Sequence, residues 1–280
     1  MKIDTVISGY FKLDGGAMFG IVPKRMWEKI YPADEQNLCT WAMRSLLIEN
    51  QDKKIIIDCG IGMKQDEKFR SHFYPHGDDV CASLAQKKIM PEEITDVFLT
   101  HLHFDHVGGA FYREGDQILP TFPNARYWSS EEHFQWAIEP NLREKASFLS
   151  ENILPLNEKG RTTFIETERD DFKIFDFFSI RFLNGHTKAM MMPIIHRPNL
   201  PDLVFCSDLI PSSAHLGLPY GLSYDIDPLT TIEEKERLLE EAILANYDLV
   251  LEHDAHIGAI QVNKDAKGKY GFTTLESLPT

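Results

Sequence analysis

A chain of 280 residues is long enough for one large core or two smaller ones, and 43% hydrophobic with 26% charged residues is the make-up of an ordinary globular protein. Asp and Glu outnumber Lys and Arg by 43 to 29, a formal charge of −14 that repels phosphate backbones and anionic headgroups, so neither nucleic acid nor membrane is an expected partner. No apolar run approaches the roughly 20 residues of a membrane span. The first twenty residues lack an apolar signal core, and Cys39, Cys59, Cys81 and Cys206 form no CxxC pair, so a cytoplasmic protein with free thiols is expected.

In chain order, β-branched and apolar runs predict strands over 54–59, 96–101, 124–128, 162–165, 178–183, 190–196, 203–207 and 249–253. Helical patterns fall between them at 66–70, 78–88, 130–138 and 142–153. The clearest spans 232–245, with Thr231 and Glu234 spaced as a capping box and Leu238, Leu239, Ala242 and Ile243 on one face. Interspersed strands and helices predict an α/β architecture, read as a single domain over 1–280 with a helical excursion around 111–153.

The chemistry concentrates in Thr100-His101-Leu102-His103-Phe104-Asp105-His106-Val107-Gly108-Gly109, directly after the expected strand at 96–101. Period-2 alternation sends His101 and His103 to one side of the chain, and Asp105 and His106 follow in a turn that can address a second ion. Three histidines and an aspartate within six residues form a metal site. Imidazole with carboxylate suits zinc, iron, cobalt or manganese. His186, Asp208 and His253 each stand where a predicted strand runs out, the place where α/β sheets carry ligand-binding groups, and are candidate partners.

The HxHxDH run, the downstream Gly185-His186, the Ser207-Asp208 pair after an apolar strand and the Glu252-His253-Asp254 turn together resemble the metallo-β-lactamase-fold hydrolases. The resemblance implies a four-layer αββα sandwich. It further implies two divalent metal ions, zinc before manganese, iron or cobalt. His101, His103 and His186 would hold one ion, Asp105, His106 and His253 the other, and Asp208 would bridge them. Asp58, in the run Ile55-Ile56-Ile57-Asp58-Cys59-Gly60, would support the metal loop. Secreted zinc β-lactamases of the dinuclear kind have cysteine where this chain has Asp208, and di-iron oxygen reductases have glutamate in place of His103. The chain is therefore similar to the lactonase-like and methyl-parathion-hydrolase-like branch. It departs from acyl-homoserine lactonases at Pro211, where those often place a tyrosine.

That branch implies hydrolysis of a small ester, above all an N-acyl homoserine lactone, by a water shared between the two ions, with Asp105 and Asp208 as the catalytic carboxylates. A phosphotriester or thioester hydrolase is the alternative, and a non-catalytic metal-binding protein a third reading. Phe19 and Phe104, with Met18, Val22, Trp27 and Leu216, are candidates to roof the substrate, and His215 to line the pocket. Tyr220 or Tyr224 are candidates to donate to a developing oxyanion. His133 and Trp136 lie on a helical pattern and read as structural. Apolar loops are compatible with a homodimer.

Overall fold

The computed structural model describes residues 1–158, 160–167 and 171–278. They form two units, one of Met1–Phe11 and Ala42–Thr167, the other of Lys12–Trp41 and the described chain after Thr167. The first eight strands are β1 (Lys2–Asp14), β2 (Leu38–Asn50), β3 (Lys53–Ile57), β4 (Asp96–Phe98), a β5–β6 hairpin (Phe111–Glu114 and Gln117–Pro120), β7 (Arg126–Ser130) and β8 (Thr162–Ile165). All but the hairpin make one sheet in the order β1-β2-β3-β4-β7-β8. From β3 onward its pairs are parallel, which calls for crossovers between strands.

Helices α1 (Gly15–Phe19) and α2 (Lys24–Trp27) follow β1 and cluster with the second unit, whereas α3 (Glu67–Phe73), α4 (Val80–Gln86), α5 (Phe104–Val107), α6 (Glu131–Ile138) and α7 (Ser150–Ile153) belong to the first. Side-chain caps start four of these helices: Asp14 accepts the Ala17 N–H at 2.9 Å, Asp66 that of Phe69 at 2.7 Å, Asp79 that of Ala82 at 2.8 Å, and Ser130 that of His133 at 3.2 Å. The helix expected over 142–153 survives only as α7. Ahead of it, Asn141 Oδ1 accepts the N–H groups of Arg143 and Glu144 at 2.8 and 3.1 Å, a local competitor that holds a turn instead. The span 111–153 thus carries three strands besides α6 and α7. Leu47, Ile56, Val97, Leu99, Phe122, Tyr127 and Phe134 centre the core of this unit.

The second unit contains β9 (Phe172–Phe175), β10 (Phe178–Leu183), β11 (Met190–Ile195), β12 (Leu203–Phe205), β13 (Asp248–Val250), β14 (Ala259–Lys264) and β15 (Tyr270–Thr274), lying side by side in reverse chain order. Only β12–β13 among these pairs is parallel, and α8 (Pro228–Ala245) makes the crossover. Leu238, Leu239 and Ala242 of α8 bury against a core of Val204, Leu249 and Ile260. The helix begins four residues before the expected 232, because Asp227 caps it, accepting the Thr230 N–H at 3.1 Å, and Pro228 occupies its first turn. Glu234, expected in a capping box with Thr231, instead accepts the N–H groups of Asn184 at 2.7 Å and Gly185 at 3.1 Å. No described helix is long and apolar enough to cross a membrane. Cys39, Cys59 and Cys206 are buried free thiols, and Cys81 is half-buried.

Candidate metal centre

In the first unit β4 stops at Phe98, three residues before the expected end, because the Thr100 N–H turns to Asp58 Oδ1 at 2.8 Å instead of continuing a ladder. Released from the strand, His101 and His103 still converge: His101 Nε2 lies 3.0 Å from His103 Nδ1. Two nitrogens on one tetrahedral zinc, each about 2.1 Å from it, stand about 3.4 Å apart, so this spacing fits a shared ion. The opposite nitrogen of His101 contacts Thr100 Oγ1 at 3.1 Å. Asp105 and His106 lie in α5, both buried, with His106 Nε2 3.8 Å from Asp105 Oδ2. Asp58 Oδ2 accepts the Thr100 hydroxyl at 2.6 Å and faces His106 Nδ1 at 3.0 Å. That contact favours the proton on Nδ1 and leaves the lone pair of Nε2 available.

Close packing leaves no choice of residue behind the loop. A Cβ on Gly108 would overlap the Ile61 carbonyl and one on Gly109 the Cys59 carbonyl. Lys64 donates to the carbonyls of Gly108 and Phe111, and burial holds its pKa down at about 8. Phe104 is buried with its ring 4.6 Å from that of Phe73 and 5.1 Å from that of Phe69.

In the second unit the three candidates stand at strand ends, as expected: His186 after β10, Asp208 after β12 and His253 after β13. Asp208 divides its carboxylate, with Oδ2 3.1 Å from His186 Nε2 and Oδ1 2.9 Å from His253 Nε2. Asp225 Oδ1 faces His186 Nδ1 at 2.9 Å, and Asp225 Oδ2 accepts the Leu222 N–H at 3.1 Å. Burial lowers the His186 pKa, but Asp208 and Asp225 outweigh it and push it up to about 10. The His253 N–H donates to the Pro211 carbonyl at 2.9 Å, so Pro211 helps to fix the backbone at this candidate. Asp208, Glu252 and His253 each offer an atom within 4.8 Å of one another.

A family model described as the metallo-beta-lactamase superfamily matches residues 44–253. The chain belongs to that superfamily. No curated protein sequence matches it. Among solved structures it is similar to a probable metal-dependent hydrolase from Staphylococcus aureus, at 28% identity and a TM-score of 0.88 over 99% of this chain and 98% of that one. It is also similar to AidC, a dizinc quorum-quenching lactonase solved with a product N-acyl-L-homoserine, at 19% identity and a TM-score of 0.80 over 99% and 95% of the two chains. Hydrolase AbOPH of the β-lactamase superfamily matches at 20% identity and a TM-score of 0.80 over 98% and 94%. The α/β fold expected from the resemblance is therefore the metallo-β-lactamase fold.

Every metal-ligand candidate lies inside the span matched to the superfamily. The proposed pocket residues are placed more variously. Phe19 is fully buried, stacked between Trp27 at 5.0 Å and His215 at 4.7 Å. His215, also fully buried, donates from Nε2 to the Met18 carbonyl at 2.8 Å and meets Ser212 Oγ through Nδ1 at 2.7 Å. Burial holds it neutral, with a pKa lowered to about 3. Both residues are interior to the second unit. Tyr220 and Leu216 line a hollow of about 730 Å³ with Ile30, Ile257, Tyr270 and Phe272. Tyr224 is half-buried, and the residue after it, Asp225, is the one that reaches His186. His256 is exposed, whereas His133 is buried and accepts the Leu102 N–H at 2.9 Å.

Reading the sequence gave no role to Asp225, which faces His186, to Glu252, whose carboxylate lies near Asp208 and His253, or to Glu144, whose Oε1 stands 3.5 Å from His103 Nε2. Glu252 had a signal, its place beside His253 at a strand end. The other two sit in loops with no metal-ligand spacing.

Proposed function

We propose that the chain is a dinuclear metallohydrolase that opens a small ester, in the first place a lactone of the N-acyl homoserine type. The observation that carries this reading is the divided carboxylate of Asp208, whose two oxygens face two different histidines. Such a carboxylate is suited to lie between two ions. His101, His103 and His186 are assigned to one ion and Asp105, His106 and His253 to the other. Their chemistry, imidazole and carboxylate with the opposite nitrogens of His106 and His186 facing Asp58 and Asp225, fits zinc. Likeness to the lactonase AidC supports the lactone as substrate.

Two bound divalent ions would supply an acidified water and a polarised substrate oxygen. The residues of the chain do the rest. Asp58 and Asp225 hold Nδ1–H of His106 and His186, so both rings present Nε2 in one orientation. In this reading Asp208 spans the two ligand groups, and Asp105, besides its part as a ligand, takes a proton and passes it to the departing alkoxide.

The test is hydrolysis of an N-acyl homoserine lactone by zinc-loaded and cobalt-loaded protein, with Asp208→Asn as the blank. Turnover near 10⁴ M⁻¹s⁻¹ or more in kcat/KM, on the order of ordinary enzyme efficiency, and at least about 10³-fold lower in the blank, is the expected result. Feeble turnover from protein holding two metals per chain would reject the lactone and direct the assay to phosphotriesters and thioesters. A chain that holds one metal, or none, would reject the dinuclear reading.

A further inference from the structure

Glu144 is a carboxylate almost wholly enclosed in the first unit, at 2% exposure. Its Oε2 is taken up twice, accepting Trp136 Nε1–H at 2.7 Å and Asn141 Nδ2–H at 2.5 Å. Its other oxygen, Oε1, stands 3.5 Å from His103 Nε2. On the far side of the same imidazole, Nδ1 faces His101. One ring nitrogen thus looks at a carboxylate and the other at the neighbouring candidate ligand.

A metal-binding imidazole must offer a lone pair from one nitrogen and carry its proton on the other. An ionised carboxylate only accepts hydrogen bonds, so it selects the proton on the nitrogen that faces it. We propose that Glu144 is the positioning residue that locks His103 as its Nε2–H tautomer and so leaves Nδ1 for the metal. The proposal rests on the reading of His103 as a ligand.

The surrounding chain is built to hold this arrangement. His133 accepts the Leu102 N–H at 2.9 Å, the Ser147 carbonyl accepts the Phe104 N–H at 3.0 Å, and the Phe148 ring lies 4.9 Å from that of His103. Residues 130–148 therefore grip Leu102, His103 and Phe104 from one segment. Trp136 and Asn141, by donating to Oε2, fix which oxygen of Glu144 faces the ring.

Glu144→Gln is the discriminating variant. Its single carbonyl oxygen is claimed by the donors of Trp136 and Asn141, which turns the amide NH₂ toward His103 Nε2. A donor there favours the lone pair on Nε2 and the proton on Nδ1, the wrong tautomer for this site. The volume is unchanged, so a residue that serves only packing would tolerate the exchange. Zinc affinity is measured by competition with a chromophoric chelator, and the ring proton of His103 is located by ¹⁵N NMR of metal-free protein at neutral pH.

The expected result is zinc affinity about 10–100-fold weaker, with the His103 proton moved from Nε2 to Nδ1 and Tm of the metal-free protein close to the parent. Unchanged affinity, or weakened affinity with the proton still on Nε2, overturns the proposal. If Glu144→Gln does not fold, Glu144→Ala is read in the same two measurements and is expected to mix the tautomers and weaken zinc about tenfold. A His103→Asn control separates the two readings. Two zinc ions held at parental affinity in that control would remove His103 from the ligand set and leave the 3.5 Å contact of Glu144 standing as a structural one.

Discussion

The two units bring candidate ligands together in opposite ways. The first collects four in six consecutive residues, on one loop and one turn of helix, so its geometry is almost wholly local. The second draws His186, Asp208 and His253 from three strand ends, and only the sheet order β13-β12-β11-β10 makes them neighbours. Support follows the same division. The first loop is held by residues from distant parts of its unit, Asp58, His133 and Glu144, because a short loop cannot brace itself. In the second, the strands fix the ligands and two carboxylates, Asp225 in a loop and Glu234 in α8, set the last details. A compact motif needs outside bracing, and a dispersed one is braced by the fold that assembles it.

The largest effects expected on this comparison come from glycines beside each ligand set. Gly109→Ala would drive a Cβ into the Cys59 carbonyl, and Gly185→Ala would drive one into the backbone of Thr231. Each is expected to cost about 3 kcal/mol or more, read as a drop in the urea midpoint of metal-free protein. A loss from Gly185→Ala alone would show that the first loop is free to move and is not braced. Next come the carboxylates behind the histidines. Asp58→Asn and Asp225→Asn are each expected to weaken metal binding about 10–100-fold. Since Asp58 holds His106 and Asp225 holds His186, titration should show a different one of the two equivalents weakened in each variant. The same equivalent lost in both would break the assignment of ligands to two ions.

A third effect separates interior from site. His215 has a folded pKa of about 3, below its ordinary 6.5, so the unfolded chain binds the extra proton between these values. Stability should therefore fall as pH drops from about 6.5 toward 3, by about 1.4 kcal/mol per unit from this group. Urea titrations of His215→Gln and its parent across that window should differ by that slope, and equal slopes would mean that His215 is not held neutral. The smallest effect is at the cap of α8, where Asp227→Ala should cost about 1 kcal/mol in the same denaturation. Metal affinity should stay at the parental value, since the Asp227 side chain is engaged by the first turn of α8, at Thr230 and Leu229.

The legibility of the chain follows from the same contrast between local and assembled structure. His101, His103, Asp105 and His106 could be read because residue type and spacing already define the chemistry. Strands β8 and β10 could be read with their bounds, being short β-branched and aromatic runs. The long β2 escaped notice because Trp41 to Ile48 is buried without a break, which removes the period-2 alternation that marks a strand. Glu234 was misplaced for a different reason. Its spacing from Thr231 is right for a capping box, but the carboxylate is used across the unit by Asn184 and Gly185, a partner no local pattern names. Glu144 and Asp225 were invisible on the same ground, since what marks them is the ring each one faces.

The buried thiols provide a clock. Burial pushes the Cys39 thiol up to about 12 and raises that of Cys206 further, so neither is a thiolate at neutral pH, and a disulfide reagent can react only when the chain around them opens. Cys59 marks the first unit, while Cys39 and Cys206 mark the second. The order in which these three are labelled, with and without zinc, therefore times the opening of each unit in one experiment. Protection of all three to the same degree by zinc would mean that the two halves of the chain open as one cooperative body.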